Sequence, residues 1–126
     1  MAKEKYEMEF IIHSSDHVLY NCMSTPSGLS GWFADDVNVQ GETYTFIWEG
    51  EERTAEMIAK KKDQMVRFQW DDESDEKTYF EIRIKIDEMT GERALIITDH
   101  AEPDEVEGGM LLWNGAIDNL RRIVGS

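Results

Sequence analysis

The stretch from Asp104 to Val124, DEVEGGMLLWNGAIDNLRRIV, restricts the fold more than any other part of the chain. Leu112, Trp113, Ala116, Ile117, Leu120, Ile123 and Val124 recur at three- and four-residue steps. That spacing predicts an α-helix with one broad apolar side. Asp104 at its start and Glu107 three residues on form a pair like a capping box, with Asp in place of Ser or Thr. Pro103 keeps the preceding segment from running on, and Gly125 stands where a helix usually stops. About six large apolar side chains on that helix, at ~1.5–3 kcal/mol each, amount to roughly 10 kcal/mol of gross burial. A helix of this kind needs a surface to lie against.

The remainder of the chain supplies one. Lys5 to His13 reads as a strand, with Tyr6, Met8, Phe10 and Ile12 alternating with Glu7 and Glu9, and with Ile11 breaking the polar face. Ser14 or Ser15 then caps a short helix with Val18, Leu19 and Cys22 as its stripe, and Asp16 suits its N-terminal dipole. Thr25 and Pro26 start a second helix, expected to be about two turns long and to carry GLSGWF, Gly28 to Phe33. From Asp35 to Ala101 the pattern is an antiparallel meander. Val37 and Val39 mark one strand, Tyr44, Phe46 and Trp48 the next, and RTAEMIAK another. Val66, Phe68 and Trp70 follow on one face, and Phe80, Ile82, Ile84 and Ile86 alternate with Glu81, Arg83 and Lys85. Glycine-bearing turns separate several of these runs, and RALIITDHA closes the series with apolar residues on both faces.

One sheet with one apolar face and one long amphipathic helix predicts an α+β fold, a curved antiparallel sheet wrapped around the C-terminal helix, with two short helices after the first strand. The 126 residues are expected to form one domain, 1–126, large enough to bury a core. Thirteen basic against 27 acidic residues give a formal charge of −14. Such a surface repels nucleic-acid phosphates and anionic headgroups, so neither nucleic acid nor membrane insertion is expected. No apolar run approaches the ~20 residues of a membrane span, and MAKEKYEMEF does not read as a signal peptide. The single cysteine, Cys22, fits a reducing compartment, and a cytoplasmic location is expected.

With GLSGWF following a short helix, this order of elements resembles the START-like, or SRPBCC, superfamily and its helix-grip fold, from about Tyr6 to Val124. The closest branch resembles proteins related to the activator of a heat-shock chaperone's ATPase. Leu29 and Trp32 match a leucine and tryptophan in that branch's short second helix, Gly41 a glycine before an aromatic strand, and Trp113 a tryptophan in the terminal helix. The superfamily includes lipid carriers, hormone receptors, polyketide cyclases and co-chaperone domains, so the fold does not settle the function. The resemblance implies a cavity between sheet and helix that takes a small hydrophobic or amphipathic ligand. Phe10, Trp32, Phe46, Trp48, Phe68, Trp70, Met110 and Trp113 are the candidates to line it. The same large rings would equally fill a closed core. A protein partner, in the manner of the co-chaperone branch, is the alternative.

The pattern carries no catalytic residues, metal ligands or cofactor motif. His13, His17 and His100 are scattered, and HExxH, CxxC and Gly-x-Ser-x-Gly spacings are missing. The acidic run Asp71 to Glu76 lacks the spacing of an EF-hand and reads as a solvated hairpin loop. Cys22, on an apolar stripe, reads as a packed thiol. An enzyme of the cyclase or dehydratase kind would need an acid–base pair, and Asp99 with His100 is the nearest approach to one. By alternation those two point to opposite faces. His13, on the first strand, is placed by the resemblance far from the last strand. Lys60, Lys61 and Lys62 keep a hairpin tip soluble or offer a docking spot to an acidic partner. Gly108 and Gly109 are expected at the cavity mouth beside Met110, either as a weak point that opens or as a site of close packing against the sheet.

Overall fold

The computed structural model describes residues 3–71 and 78–125. Most of the acidic run from Asp71 to Glu76 therefore lies outside the described residues. Seven antiparallel strands form one sheet in the order β1-β7-β6-β5-β4-β3-β2. They are β1 (Glu4–Ile11), β2 (Asp36–Gln40), β3 (Thr43–Trp48), β4 (Glu51–Lys61), β5 (Met65–Trp70), β6 (Tyr79–Ile86) and β7 (Arg93–Ala101). Between β1 and β2 run α1 (Asp16–Ser24) and α2 (Pro26–Leu29), and after a single turn at Pro103–Glu105 comes α3 (Val106–Val124). This is the expected α+β helix-grip arrangement. The first strand, expected far from the last, instead pairs with it along its whole length, with Tyr6 opposite Asp99 and Ile11 opposite Ala94. The connection through α1 and α2 thus carries the chain from one edge of the sheet to the other.

Local chemistry explains most element ends. Ser15 caps α1 by accepting a hydrogen bond from the Val18 amide at 3.2 Å, and Thr25 caps α2 by accepting one from Gly28 at 2.9 Å. β3 and β4 are joined by Glu49 and Gly50, both at positive φ, the two-residue turn whose twist suits a hairpin. β4 slips register between Met57 and Ala59, a bulge at Ile58 that adds bend to the longest strand.

Three local expectations are corrected. The second helix ends at Leu29, because Gly31 adopts φ of +96° and turns the chain before Trp32 and Phe33. α3 begins at Val106 with no side-chain cap, since Asp104 is taken up in the preceding turn and does not sit at the helix cap. Leu112 and Ile123, read as part of the buried stripe, are exposed, and the buried positions of α3 are Trp113, Ile117 and Leu120. The helix is also not the sheet's sole cover. α3 packs on β1, β7 and α1, while α1 packs on β5 and β6. The far end of β3 is met by the segment that follows α2, where the Trp48 indole donates to the Phe33 carbonyl.

Candidate functional site: an aromatic cleft beside the C-terminal helix

That division of labour leaves an open cleft of about 910 Å³ between α3 and the β3–β5 end of the sheet. Trp48 and Trp70 reach it from the inward faces of β3 and β5, Trp32 and Phe33 from the turn after α2, Trp113 from α3 and Asp99 from the end of β7. All four tryptophans of the chain therefore meet at one site. Three of their indole N–H groups are satisfied elsewhere: Trp32 donates to the Cys22 carbonyl at 2.8 Å, Trp48 to the Phe33 carbonyl at 2.7 Å and Trp113 to Asp99 Oδ2 at 2.8 Å. Their ring faces are thus free of polar demands.

Of the eight residues expected to line a cavity, Trp32, Trp48, Trp70 and Trp113 do so. Phe46 and Phe68 are fully buried in the core and Phe10 nearly so, while Met110 packs half-buried against that core outside the cleft. Rings fill the middle of the sheet, and the open space lies beyond its covered part.

Phe33 was not among the expected residues, yet it is the hub of the site. Its ring lies 5.0 Å from Phe46 and from Phe80, 5.4 Å from Trp48 and from Trp113, and 5.7 Å from Trp32. On a helix Trp32 and Phe33 would diverge by 100°; the positive-φ turn at Gly31 lets both rings point inward. The signal available in the sequence was Gly31 itself, a chain-breaking residue placed directly before two large rings.

The cleft floor is polar at one point. Asp99 Oδ2 accepts from Trp113 and, at 3.4 Å, from the Tyr6 hydroxyl, and Oδ1 accepts from the His100 amide at 2.8 Å. Burial pushes the Asp99 carboxyl above its ordinary value, against the pull of these donors and of the nearby His100. The Tyr6 hydroxyl is raised by its own burial and by the charge of Asp99. As alternation predicts, His100 does not join Asp99 in the cleft; its Nδ1 lies 2.9 Å from the Tyr79 carbonyl and its ring meets the edge of Tyr79. Asp99 thus has hydrogen-bond donors around it but no histidine partner for acid–base work.

At the rim, the Arg53 guanidinium lies 3.8 Å over the Trp70 ring, and Arg122 donates to Asn119. Leu111 and Leu112 flank the opening from α3, 70% and 78% exposed. Gly109 also borders the cleft, and a Cβ there would lie 2.4 Å from the Tyr6 hydroxyl, whereas one on Gly108 would meet nothing. Gly109 is a site of close packing.

A family model described as the START-like superfamily domain matches residues 1–126. No curated protein matches the chain. Among solved structures the chain is similar to BfR322 from Bacteroides fragilis, at 39% identity over 98% of this chain and 92% of that one, with a TM-score of 0.67. It is also similar to the Aha1 dimer from Colwellia psychrerythraea, at 17% identity over 96% of each chain and a TM-score of 0.81. CalU16 from Micromonospora echinospora is similar at 16% identity over 98% of this chain and 76% of that one, with a TM-score of 0.71. At such identities the last two bear on the fold alone.

Proposed function

The chain belongs to the START-like superfamily, and from that premise we propose that it is a non-enzymatic module, one domain over residues 1–126, that binds a small hydrophobic or amphipathic ligand in the cleft beside α3. The observation that carries this reading is the convergence of all four tryptophans on one open space. Trp48 and Trp70 keep part of their rings exposed there, and stacking them on a flat apolar ligand would remove that surface from water. The volume suits a small molecule, since ligand sites span roughly 300–1,000 Å³. A reducing compartment, the cytoplasm, fits the free and buried Cys22, whose thiol is pushed up by burial and so is poorly reactive.

Titration with a neutral apolar fluorophore such as Nile red, followed by the quenching of tryptophan emission, tests this. Trp70→Ala and Trp48→Ala should each weaken binding at least about tenfold, or ~1.4 kcal/mol. Lys61→Ala, at the far β4–β5 hairpin, should leave it unchanged. Equal affinity in all these proteins would remove the cleft as the site.

A second reading, a protein-interaction module, is favoured by the exposure of Leu111 and Leu112 side by side on α3. The Colwellia neighbour is a dimer. If this face joins two copies of the present chain, sedimentation should show association that Leu111→Glu abolishes.

A further inference from the structure

The chemistry of the cleft points to the kind of ligand, resting on the binding reading above: we infer that the ligand is an organic cation, a protonated amine on an aromatic or apolar body, with Asp99 as its counter-charge. Asp99 lies at the cleft floor and its three hydrogen-bond donors, the Trp113 indole, the Tyr6 hydroxyl and the His100 amide, are all uncharged. A carboxylate offers about four acceptor positions, and the contact to Tyr6 at 3.4 Å is long and weak. Acceptor capacity therefore remains on a carboxylate that lines the cleft. Holding a carboxylate in such a place is costly without a cation, and a ligand ammonium would supply the missing charge.

The walls suit the same class. Tryptophan offers the best aromatic face for a cation. Trp70 already holds one, since the Arg53 guanidinium sits 3.8 Å above its ring. Charge along the lining agrees: Asp35, Glu49, Asp99 and Asp118 outnumber Arg53 and Arg122, in a chain whose formal charge is −14. The resulting potential concentrates cations at the mouth and disfavours anions.

Three indoles of similar size but different charge separate the possibilities by calorimetric titration: tryptamine, which is cationic, tryptophol, which is neutral, and indoleacetate, which is anionic. Tryptamine should bind at least about tenfold more tightly than tryptophol, and indoleacetate most weakly. Asp99→Asn, close to isosteric, should bring tryptamine down to the level of tryptophol and leave tryptophol within about twofold of its former affinity. Should that variant fail to fold, the pH profile of the unaltered protein decides. The advantage of tryptamine over tryptophol should shrink as pH falls and Asp99 is protonated. The titratable groups nearest Asp99 are Tyr6 on β1 and His100 on β7, with uncharged Trp113 on α3. His100→Gln replaces the other ionisable side chain beside Asp99 on β7, and the profile should survive it. Equal binding of the three indoles, or binding of none while Nile red still binds, overturns the cation and leaves the cleft as an apolar site. Tightest binding of indoleacetate overturns it in favour of the two arginines. If Nile red fails as well, the binding reading falls with it.

Discussion

Asp99 is the residue at which fold and site meet. It occupies an inward position on β7, where alternation demands an apolar side chain, and it stays there because Trp113 and Tyr6 turn their donors toward it. Its burial has a thermodynamic consequence. A carboxyl raised in the native state binds a proton more readily there than in the unfolded chain. Its stabilising contribution is therefore complete below the unfolded value of about 3.9 and is lost as pH rises through the native value. Asp99→Asn cannot titrate. The melting temperature of that variant minus that of the unaltered protein should increase with pH from about 4 upward, as read by calorimetry. A difference that stays constant with pH would mean that Asp99 is solvated. Gly28 shows the opposite kind of residue, one chosen for lack of a side chain: a Cβ there would lie 2.0 Å from the Asn21 carbonyl oxygen, so the chain can pass from α1 into α2 only over a glycine.

Among the elements, α3 has two neighbouring glycines with different reasons to be there. Gly108 faces open space, so an alanine gains helix propensity without a clash. Gly109 sits against the Tyr6 hydroxyl, and an alanine would push the ring that steadies Asp99. Gly108→Ala should stabilise the protein by up to about 1 kcal/mol, whereas Gly109→Ala should destabilise it by roughly 1–3 kcal/mol, as overpacking does. Chemical denaturation of the two single variants checks this. Equal stabilisation by both would indicate that the start of α3 is a loose flap and that Tyr6 yields easily. The short α2 illustrates how an element's end shapes the site. By stopping at Leu29 and reversing at Gly31, it delivers two consecutive rings to one side of the cleft.

For the whole molecule, the sheet is held closed by covers of unequal reach: α3 on β1 and β7, α1 on β5 and β6. The three buried side chains of α3, Trp113, Ile117 and Leu120, contribute roughly 5–9 kcal/mol of gross burial, which rivals the net stability of a domain. Ending the chain at Glu102 should therefore abolish cooperative unfolding, and a soluble truncated protein with a sharp thermal transition would refute the dependence. None of the described helices is long and apolar enough to cross a membrane.

Periodicity in the chain was enough for the strands, for the order of elements and for the long final helix, because side chains two or four residues apart must share a face whatever they pack against. Trp32, Trp48, Trp70 and Trp113 came into question through the family resemblance, which proposed them among the residues of a cavity lining. Periodicity was not enough to separate those rings from Phe10, Phe46 and Phe68, which sit on equally inward positions but inside the packed core. Nor could it place Phe33, whose direction depends on one backbone angle at Gly31, or expose Leu112 and Ile123, which share the helix's apolar arc but lie beyond the edge of what it touches. The pairing of β1 with β7, which sets Tyr6 beside Asp99, joins residues 93 positions apart. Local pattern reports which face a residue occupies. Whether that face meets a helix, another ring or open space depends on how far each covering element reaches, and that is a property of the assembled chain alone.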